Sequence, residues 1–173
     1  MNKTLITASA LIFTGMLSAC SGMGGKATAT AELAPTQGNA TQGSVQFVQQ
    51  EDGRVKVTAQ ISGLTPGVHG FHIHEKGDCS APDGTSAGGH YNPFKQAHGK
   101  ANEGAHHVGD LPSLEADANG NATLDALVEG VPLTGENTIV GRGLIVHAAP
   151  DDFVTQPTGN AGARVACAVI KSK

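Results

Sequence analysis

The sequence predicts an all-β fold, a sandwich or flattened barrel of short strands around one core. Three observations carry that expectation. Segments that alternate apolar and polar residues with a period of two recur along the chain, the pattern of half-buried strands. Glycine and proline, 24 and eight of 173 residues, fall where such strands must turn. No segment keeps a 3.6-residue apolar period, so helix has little support. The length points to one domain, and a domain of about 150 residues buries about 68–70% of its unfolded surface, enough for a real core.

The elements follow in order. Met1-Asn2-Lys3 is a short positive start, and Leu5 to Leu17 is apolar. That stretch falls short of the ~20 residues a helix needs to cross a bilayer. Residues 1–19 therefore read as a secretory signal peptide. They end in Leu17-Ser18-Ala19-Cys20, which resembles the bacterial lipobox, where a small residue precedes the cysteine that is acylated. Lipid on Cys20 would give a firm anchor, since stable binding takes two chains. Ser21 resembles the residue that accompanies outer-membrane sorting. Residues 20–26 form the lipidated end and a short Gly-rich tether, and 27–173 form the domain. The expected location is the periplasm or cell envelope.

Within the domain, Ala27, Ala29, Ala31 and Leu33 alternate with Thr28, Thr30 and Glu32. Val45 and Phe47 flank Gln46, and Val55, Val57, Ala59 and Ile61 alternate with polar residues. Asp52-Gly53 between these two runs predicts a tight hairpin turn. Val68 to Glu75 reads as one strand. Residues 76–106 show no periodicity, and a loop that long inside a compact domain is usually functional. Asn121 to Val128, Leu144 to His147 and Arg164 to Ile170 are the remaining strands, with turns at Asn119-Gly120 and Gly141 to Gly143.

Cysteine usage fits export. With Cys20 lipidated, Cys79 and Cys167 remain, and in an oxidising compartment two such residues pair, the alternative being two free buried thiols. Loss of residues 1–19 removes Lys3 and no acid, so the net charge goes from −4 to −5, with 10 Lys and Arg against 15 Asp and Glu. No basic run supports nucleic-acid binding.

Eight histidines are the second peculiarity, most of them between His69 and His107. His72 and His74 flank Ile73 on one strand, so both imidazoles share a face. His90 and His98 lie in the long loop, His107 and Asp110 near its end, and His147 closes a strand. Imidazole suits zinc and copper, and zinc also accepts carboxylate. A metal can order a polar loop that has no core of its own. Spacing alone leaves three readings open: a defined metal site, a loose metal-scavenging tract, or solvated histidines.

Four runs go further. Gly70-Phe71-His72-Ile73-His74-Glu75, Gly88-Gly89-His90-Tyr91-Asn92-Pro93, His107-Val108-Gly109-Asp110-Leu111, and Gly159-Asn160-Ala161-Gly162-Ala163-Arg164-Val165-Ala166-Cys167 resemble, in the same order, motifs of the copper,zinc superoxide dismutase family. The resemblance extends from Lys26 to Ile170. It implies an eight-stranded Greek-key β-barrel with a long metal-binding loop, and an oxidoreductase that converts superoxide to O₂ and H₂O₂. It implies one copper per chain on His72, His74, His90 and His147, and one zinc on His90, His98, His107 and Asp110. His90 would bridge the metals and act in catalysis. Asp151 would link a copper histidine to a zinc histidine, Cys79 and Cys167 would form the disulfide, and Arg164 would stand at the mouth of the copper site. His69 falls on a structural position, and His106 reads as a solvated neighbour of His107.

Two features resemble the bacterial branch of that family. Between His147 and Arg164 the only charges are Asp151 and Asp152, and Cys79 lies eleven residues before His90. In that branch the guiding lysine lies in the disulfide loop, which makes Lys76 the candidate here. The resemblance leaves a monomer or a homodimer of bacterial type open. Competing readings are an exported copper or zinc carrier on the same scaffold and a β-sandwich that kept only zinc. The complete copper set and Arg164 argue against both.

Overall fold

The structure, a computed structural model, describes residues 25–173. The expected leader, Cys20 and most of the tether lie outside the described residues. The alternating segments form strands β1 (Thr28–Pro35), β2 (Gln42–Gln49), β3 (Val55–Ser62), β4 (Gly67–His69), β5 (Phe71–His74), β6 (Leu114–Ala116), β7 (Ala122–Val128), β8 (Gly143–His147), β9 (Arg164–Val169) and β10 (Lys171–Ser172). In β3 the period of two is complete, with Val55, Val57, Ala59 and Ile61 buried and their neighbours turned outward.

Pairing is antiparallel throughout, in the order β4-β6-β7-β3-β2-β1-β9-β8-β5, with β10 added beside β1. β1 to β3 form a meander. The chain then crosses over, β7 returns to lie beside β3, and β9 returns to lie beside β1. These returns between non-sequential neighbours give the Greek-key pattern. β4 and β5 stand at opposite ends of the order yet are separated only by Gly70, so the sheet closes into a barrel.

The run expected as a single strand over residues 68–75 therefore breaks at Gly70. Its N–H donates to the Ala149 carbonyl and its carbonyl accepts from His147 N–H, both at 2.9 Å. A Cβ at Gly70 would press on Ala161 and the His72 ring. One half of the run pairs with β6 and the other with β8. Counted as one strand, with two-residue β10 set aside, the halves give the eight expected. β6 and β10 are too short to leave a periodic signal. The β2–β3 hairpin is wider than a two-residue turn: Gln49 pairs with Val55, and Gly53 takes φ 87° inside the connection.

The core fills the barrel. Phe47, Phe71, Ile73, Leu114, Leu144 and Val146 have no exposed surface. Each is worth about 1.5–3 kcal/mol of burial. Four of them, Phe71, Ile73, Leu144 and Val146, lie on β5 and β8, so the wall that carries the histidines is rigid. Cys79 and Cys167 form the disulfide, with Cα atoms 5.9 Å apart. It ties the long loop after β5, which includes a 3-10 turn at Thr85–Ala87, to β9.

Candidate metal centre

β5 turns Ile73 into the core and His72 and His74 to the opposite face, where both are buried. On one side β5 pairs with β8, with His72 opposite Ile145 and His74 opposite Gly143. On its other side the long loop supplies a partial ladder. Tyr91 N–H donates to the Ile73 carbonyl at 2.8 Å, Ile73 N–H to the Gly109 carbonyl at 2.8 Å, and Gly109 N–H to the Tyr91 carbonyl at 2.9 Å. His90 thereby lies against His74, and Asp110 against His72. Only glycine fits at 109, because a Cβ would meet the Ile73 carbonyl and the Tyr91 backbone nitrogen. His147 enters from the end of β8, where the register with β9 slips between Val146 and His147. Alternation along β8 puts Val146 in the core and His147 on the face that His72 and His74 share.

Two donor groups result. His72, His74, His90 and His147 offer ligand atoms all within 4.8 Å of one another, and so do His90, His98, His107 and Asp110. All seven residues are buried. His90 belongs to both groups, with its ring centroid 4.0 Å from that of His72 and 5.3 Å from that of His98.

The hydrogen bonds assign which nitrogen of each ring faces inward. His72 Nε2 lies 2.6 Å from Asp151 Oδ2, His74 Nδ1 lies 2.9 Å from the Gly88 carbonyl, and His147 Nδ1 lies 3.1 Å from the Gly162 carbonyl. In each pair the nitrogen must donate. Its opposite nitrogen is left with a lone pair aimed at the group's centre. Those atoms, His72 Nδ1, His74 Nε2 and His147 Nε2, have no hydrogen-bond partner, nor have His90 Nε2 and His107 Nδ1. A buried polar atom left unpaired costs about 1–3 kcal/mol. Five on two convergent groups fit metal ligation, which would satisfy them together.

In the second group the Nδ1 atoms of His90, His98 and His107 lie 3.0, 3.0 and 3.4 Å from Asp110 Oδ1. A tetrahedron with ligands ~2.0–2.1 Å from its centre has edges of about 3.3 Å, so these separations fit zinc. Ionisation of three histidines agrees with ligand duty, whereas for His98 burial is outweighed by hydrogen bonds to Asp110 and Asp151, which raise it to about 9. Burial pushes His74 down to about 2 and His147 to about 3. Burial also takes His90 down to about 4 against the pull of Asp110. All three are neutral near pH 7 and ready to donate a lone pair. Burial opposes the charge on Asp110, but the His107 ring beside it and hydrogen bonds from His90, His98 and the His107 backbone N–H outweigh burial and keep the carboxylate ionised.

Other expected residues stand around the two groups. Asp151 joins them, its Oδ2 on His72 and its Oδ1 2.9 Å from His98 Nε2. Half-buried Arg164 donates to the Gly84 carbonyl at 2.7 Å and to the Gly88 carbonyl at 2.6 Å. The Gly88 carbonyl also accepts from His74, so one peptide oxygen orients both a ligand and the cation. Lys76 is exposed just beyond β5. His69 is buried, with Nδ1 2.8 Å from the His147 carbonyl and Nε2 2.8 Å from the Thr65 carbonyl. His106 is half-buried, bonded to the His107 carbonyl and outside both groups.

Sequence reasoning missed two residues. Gln156 hydrogen-bonds the His98 main chain. Gly159, at φ 66°, is where a Cβ would overlap Asp151 Oδ1 and His98 Nε2. Gln156 had no signal, because a loop glutamine has no spacing rule. Gly159 sat inside a quoted motif with no assigned role.

Comparison with known proteins agrees with this geometry. The family model described as copper/zinc superoxide dismutase (SODC) matches residues 41–170. Among curated relatives, superoxide dismutase [Cu-Zn] 3 of Arabidopsis thaliana is 45% identical over 139 residues, 76% of this chain and 84% of that protein. Superoxide dismutase [Cu-Zn] of Onchocerca volvulus is 41% identical over 152 residues, 82% of this chain and 95% of that protein. Among solved structures, that of the clock protein EA4 superposes with a TM-score of 0.76 at 40% identity, covering 84% of this chain and 94% of the other.

Proposed function

The chain belongs to the copper/zinc superoxide dismutase family, and from that membership we propose that His72, His74, His90 and His147 hold its copper while His90, His98, His107 and Asp110 hold its zinc. Its activity is superoxide dismutation: two superoxide anions and two protons give O₂ and H₂O₂. Copper supplies alternating one-electron oxidation and reduction, and zinc supplies no redox chemistry. The observation that carries the assignment is His90, whose Nε2 is an unpaired buried atom while its Nδ1 lies beside Asp110 Oδ1.

The chain's own residues do the rest. The β5–β8 wall fixes His72, His74 and His147, and Asp151 holds the rings of His72 and His98 in one orientation. Arg164 is the permanent cation beside this site, anchored through the Gly84 and Gly88 carbonyls. It attracts and orients the anionic substrate. Nε2 of His90 is the atom placed to hold a proton for the product. Lys76 assists by steering from the disulfide loop.

The domain division is part of the proposal: signal peptide 1–19, lipidated Cys20 with a tether to residue 26, and the enzyme over 27–173. The protein is of the bacterial branch, a lipoprotein of the periplasm or cell envelope, anchored to the outer membrane, and it acts as a monomer or a bacterial-type homodimer. Leu17-Ser18-Ala19-Cys20 and the short, sparsely charged 148–163 stretch support this.

Metal counting with an activity assay tests the core of the proposal. Purified protein should bind one copper and one zinc per chain and remove superoxide only when copper is present. Tight zinc uptake without copper-dependent activity would favour a carrier. The anchor is tested by fractionating cells that express the full chain: Cys20→Ser should move it from the membrane to the soluble fraction, and an unchanged distribution would remove the lipid.

A further inference from the structure

Three side-chain amides organise the loop that carries His90, His98, His107 and Asp110. Asn92 accepts from Gln96 N–H at 3.0 Å and donates to the Gln96 carbonyl at 2.8 Å. Asn102 accepts from Glu129 N–H and donates to the Leu127 carbonyl, both at 2.9 Å, which pins the loop to the end of β7. The third is Gln156. Its Oε1 accepts from His98 N–H at 2.9 Å and its Nε2 donates to the His98 carbonyl at 3.0 Å. A primary amide has both a donor and an acceptor, so against a residue's N–H and C=O it imitates a neighbouring strand.

Gln156 differs from the other two. It is the amide that closes on a donor of the metal groups, and it does so from a different loop, 58 residues further along. Among the described residues His98 makes no main-chain hydrogen bond to another backbone group. The 148–163 loop therefore holds it at three atoms: the backbone nitrogen and carbonyl oxygen through Gln156, and ring Nε2 through Asp151 Oδ1. With those fixed, ring Nδ1 can face only Asp110 Oδ1, 3.0 Å away.

We propose that Gln156 is a positioning residue for the zinc site, clamping the His98 main chain so that its Nδ1 keeps a fixed place in the donor set. This rests on reading His90, His98, His107 and Asp110 as that site. Gln156 is otherwise exposed, so replacing it leaves the barrel intact, and water competes for its bonds. The effect belongs at the low end of what partners of metal ligands contribute, about a tenfold loss of metal affinity.

The test uses the full domain loaded with Co(II) in place of zinc, whose visible spectrum reports ligand geometry. Gln156→Met keeps the length and removes both bonds to His98, together with a longer one to the Val154 carbonyl. Asn102→Ala removes an equivalent clamp that holds no ligand. Gln156→Met should alter the cobalt spectrum and weaken zinc about tenfold in chelator competition, with its melting temperature close to wild type. Asn102→Ala should lower the melting temperature and leave the spectrum unchanged. A wild-type spectrum and affinity in Gln156→Met would overturn the proposal, as would the same spectral change in Asn102→Ala, which would mean general loop order. Failure of the unaltered protein to take up one Co(II) per chain would instead overturn the zinc assignment, and the inference with it.

Discussion

At the scale of single residues, the site depends on atoms that bear no charge or metal-binding group. Gly159 is the sharpest case. It sits at φ 66°, and a Cβ there would run into Asp151 Oδ1 and His98 Nε2. Gly159→Ala should cost about 1–2 kcal/mol of stability for the left-handed backbone alone. It should also push Asp151 off His98, with a loss of zinc affinity of about 10- to 100-fold. Calorimetry of the metal-free protein and chelator competition separate the two effects; an unchanged affinity would show that the carboxylate relocates without consequence. Five of the seven proposed ligands, His72, His74, His90, His107 and Asp110, were legible because a His-x-His strand and the ordered motifs leave a linear trace; His98 and His147 lie outside those runs and were reached only through the family resemblance. The supports were not. Gln156 acts on a residue 58 positions away, and the carbonyls of Gly88 and Gly162 act through the backbone, which every residue has.

At the scale of elements, β5 does two jobs with one alternation: Ile73 enters the core and its neighbours enter the metal groups. That much follows from a period of two. The break at Gly70 was missed although the apolar alternation changes phase there, from Val68 to Phe71 and Ile73; a glycine inside a strand was a second available signal. β6 and β10, three and two residues long, are defined by their partners and not by their own sequence. The disulfide has a consequence at this scale too. It closes a sequence separation of 88 residues, for which chain entropy gives ~4.5 kcal/mol as an upper figure. It also holds the loop bearing the Gly84 and Gly88 carbonyls, on which Arg164 and His74 depend. Replacing both cysteines with serine should therefore lower the melting temperature by about 5–15 °C, taking 2–4 kcal/mol at 2–4 °C per kcal/mol. Superoxide turnover should fall as well, even with copper content matched to wild type. Full turnover with a lowered melting temperature would limit the bridge to stability.

At the scale of the whole molecule, global and local charge oppose each other. The chain from Cys20 onward carries −5, yet its substrate is an anion. Local focusing is worth roughly 10- to 1000-fold in encounter rate in enzymes generally, copper/zinc superoxide dismutases among them. If Lys76 contributes, Lys76→Glu should slow kcat/KM most at low ionic strength and converge with wild type as salt rises and screening shortens to about 8 Å at 0.15 M. Equal rates at low salt would remove Lys76 from the steering. The fold class was legible from composition and alternation, whereas closure into a barrel came only with the family resemblance, because it depends on which strands become neighbours after two crossovers.

That closure makes Gly70 the seam of the cylinder as well as the link between His69 and His72. A ring of paired strands offers few bare amides to a neighbouring molecule, and bare amides on a rim are what template stacking between copies. A lesion at position 70 that parted the seam would bare the rim at β4, while Tyr91 and Gly109 still cover the edge of β5, beside histidines thrown out of alignment. Damage to the catalytic centre and a tendency to polymerise would then arise together, from a single backbone position.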